Sequence, residues 1–441
     1  MGNPYRSAHR RIRRRQGGGW VGLVPVVAAA AAAPLLRPVL FRYLDGPHIA
    51  AGTADVALRI GLVVVSVMAL NLYTDLVRGP DRPVLDPHPI QPRALLSALC
   101  LRSARARLDL LLAALVVLSP VLLAGHAVAY AAGAVFITGA WAASLGVPYA
   151  VYLGAVWAAR SPAMAGVLNL LRGDNAPMHA ALIYAPGVVA AAIGLPMTWV
   201  MVAVEWAIEG WLLGWAWLAL LPGLGVAGFW AARPLAERFY VPTTALLTEI
   251  DGMYAGVDEA EEGRRVYLEW TARGRPELLR ALRQAGRSLW PYSVGAWIGG
   301  ALAGIAAWSR SPEGPGWMAF IVLAGAAAVG TMPAALSRGD PPWLDRALGV
   351  RPWRVAAARA AATTLYAQGL FIPPLLAILV RRGAEALSPL LAAELLVGVS
   401  SLLTAALAVR LPDRALWLAA PIQLLLWAVA LAVSAAGPAA P

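Results

Sequence analysis

The stretch Ala127–Ala159, AVAYAAGAVFITGAWAASLGVPYAVYLGAVWAA, decides the fold class, because it contains no charged side chain. It is longer than the roughly 20 apolar residues that one membrane-spanning helix needs. The rest of the chain has the same character: 60% of its 441 residues are hydrophobic and 14% are charged. A soluble domain carries about 25% charged residues. The sequence therefore predicts an integral membrane protein built from α-helices.

Apolar stretches recur along the whole chain, and they predict an all-α polytopic membrane protein with about 11 transmembrane helices, in a range of about 10–12. The fourth stretch is long enough to be a tilted or broken helix. Pro186 and Pro373–Pro374 are expected to break the fifth and ninth helices. The predicted spans are Trp20–Leu36, Ala54–Tyr73, Leu108–Gly125, Ala127–Ala159, Ala180–Val204, Gly210–Ala232, Leu289–Trp308, Gly316–Leu336, Ala360–Val380, Ser388–Val409 and Leu416–Ala435.

The distribution of arginine predicts the topology. All 36 basic residues are Arg, and the formal net charge is +12. They cluster in the N-terminal tail and in every loop that follows an even-numbered span, as the positive-inside rule requires of cytoplasmic segments. This explains the charge without nucleic acid and predicts a multi-pass protein of the cell (inner) membrane with a cytoplasmic N-terminus. The predicted regions are a basic cytoplasmic tail at 1–19, a six-span membrane half at 20–232, a charged cytoplasmic segment at 233–287, and a second membrane half at 288–441.

Two of the basic loops share a sequence pattern. Each contains Leu-Asp, a short gap, Pro and Arg, and then a basic stretch that leads into the next span. An ordinary interfacial loop also explains the positive charge. The shared pattern instead suggests two pseudo-repeated halves, each with a short cytoplasmic helix that docks a partner. The residues predicted to take this role are Asp86, Pro89, Pro92, Arg93, Asp345, Arg351, Pro352 and Arg354.

The loop Asp86-Pro-His-Pro-Ile-Gln-Pro-Arg93 resembles a loop of the membrane-embedded permease subunits of ABC exporters. The second copy, Leu344–Arg354, matches less well, with Gly349 where that family often has Pro. The resemblance covers about 75–159 and 339–410. It implies a fused, two-half permease in the lipid bilayer, coupled through loops 82–107 and 339–359 to a separate ATPase subunit.

The same resemblance implies that the partner ATPase, in two copies, binds ATP and Mg²⁺, and that this chain is not itself an enzyme. The chain has no Lys and so cannot form a P-loop of its own. It is therefore expected to need no cofactor of its own. Arg93 and Arg354 are expected to pair with acidic residues of the ATPase.

A different resemblance supports an enzyme. Asp75 and Asp81 follow the second span, and Asp251 and Asp258 follow the sixth. Intramembrane prenyltransferases of the ubiquinone-biosynthetic type have Asp-rich motifs at these places, which hold Mg²⁺ against a lipid diphosphate. Carboxylates four residues apart share a helix face, whereas these pairs are six and seven residues apart. A secondary transporter that needs no ATPase is a further alternative.

Charged residues within the spans are costly in lipid and therefore point to function. Asp55 and Arg59 are four residues apart and can pair on one helix face. With Glu205 and Glu394 they are predicted to line a substrate path for a polar or cationic group, or otherwise to pair internally and reach the interface.

One cysteine, Cys100, leaves no disulfide within the chain, and no hydrolase motif is found.

The predicted topology can be tested by cysteine labelling in a Cys100→Ala background. Trp270→Cys should resist a membrane-impermeant maleimide in intact cells and react after permeabilisation, because Trp270 lies in the Arg-rich segment predicted to be cytoplasmic. His126→Cys, in a predicted outer loop, should react in intact cells and serves as the control. Labelling of position 270 in intact cells would refute the topology.

Overall fold

The computed structural model describes residues 24–44, 49–77, 91–160, 180–238, 240, 274–288, 290–309, 314–333, 350–381, 387–411, 419 and 422–430. Regular structure in these ranges is helical, and they contain no strand. The predicted all-α class is therefore confirmed. An apolar segment folds as a helix in lipid because its peptide hydrogen bonds then close within the segment itself.

The helices are numbered here in chain order. They are α1 Val24–Leu44, α2 Ile49–Val77, α3 Pro92–Ala106, α4 Leu108–Leu123, α5 Ala127–Arg160, α6 Ala180–Ile208, α7 Leu212–Leu218, α8 at 220–238, α9 Pro276–Ser288, α10 Trp290–Trp308, α11 Gly314–Gly330, α12 Pro352–Arg381, α13 Ser388–Arg410 and α14 at 422–430.

Seven stretches of the described residues are long and apolar enough to cross a bilayer. They are Ile49–Ala69, Pro92–Leu123, Ala127–Ala158, Gly187–Ile208, Leu212–Arg238, Pro352–Val380 and Ser388–Arg410. The segments Ala296–Trp308 and Gly314–Gly330 are shorter apolar helices. The chain is therefore a multi-pass membrane protein, whereas the number of eleven spans stays a prediction.

Large apolar side chains on the outer surfaces of the helices agree with a lipid environment. Leu212 is 86% exposed, Trp199 79% and Val380 72%. A water-soluble monomer rarely exposes extended apolar surface of this kind. In a bilayer these side chains contact acyl chains, so their exposure has no hydrophobic cost.

The predicted helix breaks at Pro186 and at Pro373–Pro374 are wrong. The long uncharged stretch, expected to be a tilted or a broken helix, is one helix, α5, which continues through Pro148. Helix α6 likewise continues through Pro186, and α12 continues through Pro373 and Pro374. A proline removes one backbone donor, but a helix in a bundle tolerates this where neighbouring groups satisfy the carbonyl that loses its partner.

The chain divides into two compact units, which we call the N-terminal unit (residues 40–264) and the C-terminal unit (residues 1–39 with 265–441). In the N-terminal unit, α2, α5 and α6 pack against one another and form the core. Its largest fully buried side chains include Tyr149, Tyr152 and Phe136. In the C-terminal unit, α10, α11, α12 and α13 pack together. The predicted boundaries at 232 and 287 stay predictions.

Close helix contacts in the N-terminal unit occur at glycine. A Cβ at Gly146 of α5 would collide with the carbonyl oxygen of Gly225 in α8, and a Cβ at Gly228 would lie 2.8 Å from the Cα of Val147. Hydrophobic burial does not drive association between helices in lipid, so small residues that let the backbones approach become the main source of contact. The α5–α8 contact follows this rule.

Glycine has the same role in the C-terminal unit. A Cβ at Gly300 of α10 would collide with the carbonyl oxygen of Gly369 in α12. Leu370 and Phe371, the next residues of α12, lie in the apolar core with Met318 and Leu323 of α11. The backbone contact therefore places the core side chains of α12 against α11.

The close approach of α5 and α8 predicts that Gly146→Ala lowers the stability of the protein. The added methyl group meets backbone that cannot rotate away, and overpacking of this kind costs about 1–3 kcal/mol. Gly154→Ala, on the same helix, is the matched control, because nothing lies within 4 Å of a Cβ there. Thermal unfolding in lipid nanodiscs should show a lower Tm for Gly146→Ala alone. Equal Tm values for the two variants would contradict the close contact.

Candidate functional site

The best-defined part of the predicted coupling loops is the start of α3. Gln91 has an extended backbone (φ −61°, ψ 121°), and Pro92 is the first helical residue. Proline is favoured at this position because its missing N–H would have no partner within the helix. The Leu95 N–H donates to the Gln91 carbonyl at 3.1 Å and closes the first turn. Pro92 therefore stands in the first turn of a helix, where proline is favoured.

Helix α3 has two distinct faces. Leu96, Leu99 and Ser103 are buried against the rest of the N-terminal unit. The opposite face is exposed and consists mainly of small side chains around one leucine. Its residues are Ala94, Ser97, Ala98, Leu101 and Arg105. They recur at intervals of three and four residues, so they form one continuous stripe on the helix surface.

A single residue, Arg107, joins α3 to the span α4. Its backbone leaves helical geometry (φ −116°, ψ 13°), and α4 begins at Leu108. The joint is held against α5, because the Trp141 indole N–H donates to the Arg107 carbonyl at 3.2 Å. The Cys100 thiol donates to the Leu145 carbonyl at 3.6 Å and adds a weaker contact with α5. The short helix is thus held at a fixed place beside the span that follows it.

Arg93 has a partner within the chain, and its expected pairing with an acidic residue of an ATPase stays a prediction. Its Nε lies 2.6 Å from Oε1 of Glu237, and its Nη2 donates to Oε2 at 2.9 Å. The pair joins the first turn of α3 to the end of α8. Its side chains are 51% and 46% exposed, so solvent screens the interaction. Glu237 is not among the residues expected from the sequence, although it is an acidic residue at the end of a span next to an Arg-rich segment.

The second loop differs from the first. Pro352 begins α12, which continues without interruption to Arg381, so no separate short helix precedes the span in the described residues 350–356. Arg351 is exposed just before the helix. Arg354 lies 3.9 Å from Glu277 of α9 and 5.8 Å from the centre of the Trp353 ring. Arg354, too, therefore has a partner within its own unit.

The amphipathic helix beside α12 is α9. Leu278 and Leu282 of α9 pack against Ala358 and Ala362 of α12. The Tyr366 hydroxyl donates to the Leu282 carbonyl at 3.4 Å. The apolar face of α9 is therefore occupied by the first turns of α12. Asp86, Pro89 and Asp345 lie outside the described residues, and their predicted roles stay predictions.

The residues of the predicted substrate path are only partly brought together. Asp55 and Arg59 form the predicted pair on α2, with 2.7 Å between Oδ2 and Nη2, and both side chains are mostly buried. Glu205 lies on α6 in the same unit and is partly buried. Glu394 belongs to the C-terminal unit and is exposed. Within the N-terminal unit, the Asp55–Arg59 pair is thus the one confirmed contact of this set.

The described residues do not group three or more potential metal ligands at any place. Asp75 lies in the last turn of α2, while Asp81, Asp251 and Asp258 lie outside the described residues. The metal site of the prenyltransferase alternative therefore remains untested.

A hydrogen bond between a hydroxyl and a main-chain carbonyl recurs in the two units. The Tyr152 hydroxyl of α5 donates to the Ala69 carbonyl of α2 at 2.6 Å. The Thr404 hydroxyl of α13 donates to the Gly330 carbonyl of α11 at 2.7 Å. Ala69 lies 23 residues before Pro92, and Gly330 lies 22 residues before Pro352. Each unit thus has a helix with the accepting carbonyl, then a helix begun by proline, then a helix with the donating hydroxyl. In the N-terminal unit α4 lies between the last two, whereas α12 and α13 are consecutive. The predicted internal repeat stays a prediction.

Comparisons with protein-family models, with curated proteins and with solved structures found no match to this chain.

The exposure of the Arg93–Glu237 pair predicts a weak coupling between its two side chains. A double-mutant cycle of Arg93→Ala, Glu237→Ala and the double variant should give a coupling energy of about 0.2–1 kcal/mol. Thermal unfolding of the purified chain in nanodiscs measures it. A coupling energy above about 2 kcal/mol would contradict a screened surface pair and would mean that the pair holds α3 and α8 together.

Proposed function

We propose that this chain is the membrane permease of an ATP-driven exporter, and that a separate ATPase subunit on the cytoplasmic side drives its conformational change. The observation that carries the proposal is helix α3. It is short, it begins at Pro92, it presents an exposed stripe, and one residue joins it to the span α4. A force on α3 therefore reaches a transmembrane helix without passing through a long loop.

The exposed stripe of α3 is suited to docking into a groove of a partner. Residues at intervals of three, four and seven along one face are the usual anchors of a helix in a groove. Here Ala94, Ser97 and Ala98 allow close approach, and Leu101, 52% exposed, provides an apolar anchor. Arg105 at the end of the stripe attracts an acidic partner surface, which increases the rate of association more than its strength.

The nucleotide chemistry belongs to the partner in this proposal. A P-loop requires a lysine that reaches the β- and γ-phosphates, and this chain contains no lysine. The ATPase, in two copies, binds ATP and Mg²⁺, and the permease has no catalytic site. The Arg-rich segments around α3 and at the start of α12 then lie on the cytoplasmic side of a cell (inner) membrane, as does the N-terminus.

The C-terminal unit provides the second half of the permease. Arg351 and Pro352 stand at the start of α12, whose 30 residues form one uninterrupted helix. A push on its first turn therefore moves the whole helix, together with the packed α9. The recurring hydroxyl-to-carbonyl bonds of Tyr152 and Thr404 support a fused, two-half plan of this kind.

The proposal predicts that Ala98→Trp abolishes binding of the ATPase. Ala98 is exposed, so an indole there should fill the stripe of α3 while the chain inserts and folds normally. The measurement is co-purification of P-loop ATPases with the tagged chain from membranes of its native host, followed by an ATPase assay. We expect a loss of at least about tenfold in the bound ATPase, equivalent to about 1.4 kcal/mol. Ala131→Trp, an exposed alanine of α5, is the matched control and should bind normally.

A second variant tests the docking of α3 and the docking of the start of α12 together. Replacement of Pro89–Leu96 and of Gly349–Ala356 by Gly-Ser linkers removes the rigid connection to the spans, and should end both co-purification and stimulation of ATPase activity. The exporter function is refuted if wild-type chain retains no P-loop ATPase. It is refuted equally if the double-linker chain, inserted in the membrane, still stimulates one.

A further inference from the structure

The turn between α6 and α7 folds the chain back on itself. Gly210 has a φ of +91°, a conformation that favours glycine. The Trp211 N–H donates to the Trp206 carbonyl at 2.8 Å. A Cβ at Gly214 of α7 would collide with the backbone nitrogen of Ala207 in α6. Helix α7 is therefore held in close contact with the last turns of α6.

This contact places two tryptophan rings in a corner. The ring centroids of Trp206 in α6 and Trp217 in α7 are 6.1 Å apart, and the ring planes are nearly perpendicular, at 80°. Such a pair is favourable because the edge of an aromatic ring is positive and its face is negative. The ring that points edge-on at the other keeps both of its own faces uncovered by the pair. Trp217 is 42% exposed, so the corner is open to molecules outside the protein.

Two carboxylates lie beside the corner. Glu205 directly precedes Trp206, and Glu209 follows it by one helical turn. Glu205 is partly buried and Glu209 is exposed. Among the described residues, no basic side chain forms an ion pair with either of them. Like charges four residues apart on a helix repel each other. The surroundings of the corner therefore carry negative charge that a bound cation would compensate.

The rings and the carboxylates together select the kind of cation. A metal ion such as Ca²⁺ requires six or more oxygen ligands, and the described residues do not group three potential metal ligands at any place. An alkylated ammonium group needs no such shell. Its apolar surface contacts the ring faces, its charge is attracted by the ring quadrupoles, and aromatic rings recognise quaternary ammonium groups in this way. The carboxylates add long-range attraction for the same charge.

We propose that the corner of Trp206 and Trp217, with Glu205 and Glu209 beside it, is a binding site for the alkylated ammonium group of an organic cation. The inference goes beyond ATPase coupling and stands without it, because it rests on the α6–α7 turn of the N-terminal unit alone. The ammonium group belongs either to a free cation or to a phospholipid headgroup, and both present the same chemistry to the rings.

The experiment compares choline with 3,3-dimethyl-1-butanol, an uncharged molecule of nearly the same shape. The full chain is reconstituted in nanodiscs of an uncharged glycolipid, and the Kd of each probe is measured by NMR titration against empty nanodiscs. We expect saturable binding of choline and at least about fivefold weaker binding of the alcohol, which gains neither cation–π nor ion-pair energy. Added salt should weaken the binding of choline, because it screens the carboxylates.

A further titration identifies the source of the ammonium group. Nanodiscs in which phosphatidylcholine replaces half of the glycolipid have the same net surface charge. If a phospholipid headgroup occupies the corner, it competes with choline and the apparent affinity for choline falls in these nanodiscs. If the corner takes a free cation, the affinity is the same in both. Either outcome supports the site and assigns its occupant.

Four variants assign the binding to the corner. Trp217→Leu and Glu209→Gln should each weaken choline binding by about two- to fivefold, the loss expected for one cation–π contact or one exposed ion pair. Both positions are exposed, so the Tm without choline should stay close to that of the wild type. Trp199→Leu, an exposed tryptophan of α6, and Glu394→Gln, an exposed carboxylate of the other unit, are the matched controls and should bind normally. The proposal is overturned if choline binds no more tightly than the alcohol, since the tryptophans then serve only as interfacial anchors. It is overturned also if Trp217→Leu and Glu209→Gln both keep the wild-type Kd.

Discussion

A peptide group in hydrocarbon must find its hydrogen-bond partner within the protein, because the lipid offers none. Long apolar stretches such as α5 and α12 therefore fold as uninterrupted helices even where proline removes a donor. The same solvent removes the hydrophobic force between helices, so their association depends on close contact. In each unit this contact is made at glycine: Gly146 against Gly225 in one, and Gly300 against Gly369 in the other.

Polar side chains are subject to the same requirement, and in the described residues some meet it while others do not. The hydroxyls of Tyr152 and Thr404 donate to main-chain carbonyls of neighbouring helices, so each stabilises a helix contact and leaves no donor unpaired. The carboxamide of Gln423 is buried equally deeply but has no such partner in the described residues. A satisfied buried group stabilises the fold, whereas an unsatisfied one lowers its stability.

The features that follow from local composition were predictable from sequence. Hydropathy predicts the membrane helices, and the preference of proline for the first turn predicts the start of α3 at Pro92. The continuity of α6 and α12 through their prolines was not predictable, because proline disfavours a helix interior by local propensity, whereas a helix within a membrane bundle tolerates it. The partner of Arg93 was not predictable either. Arg93 pairs with Glu237, 144 residues further along the chain, because α3 packs beside α8. No local sequence pattern predicts that packing.

The weakness of the Arg93–Glu237 pair is compatible with the proposed coupling. A buried ion pair would hold α3 to α8 and would resist exchange, because separating its charges in a low dielectric is costly. This pair is half exposed, so water and ions already compensate much of each charge. A carboxylate on an ATPase could replace Glu237 at little cost, and Arg93 would then pass from an internal contact to an external one. The stiffness of the element would not change, because α3 is held by its buried leucines and by the bond between Trp141 and Arg107.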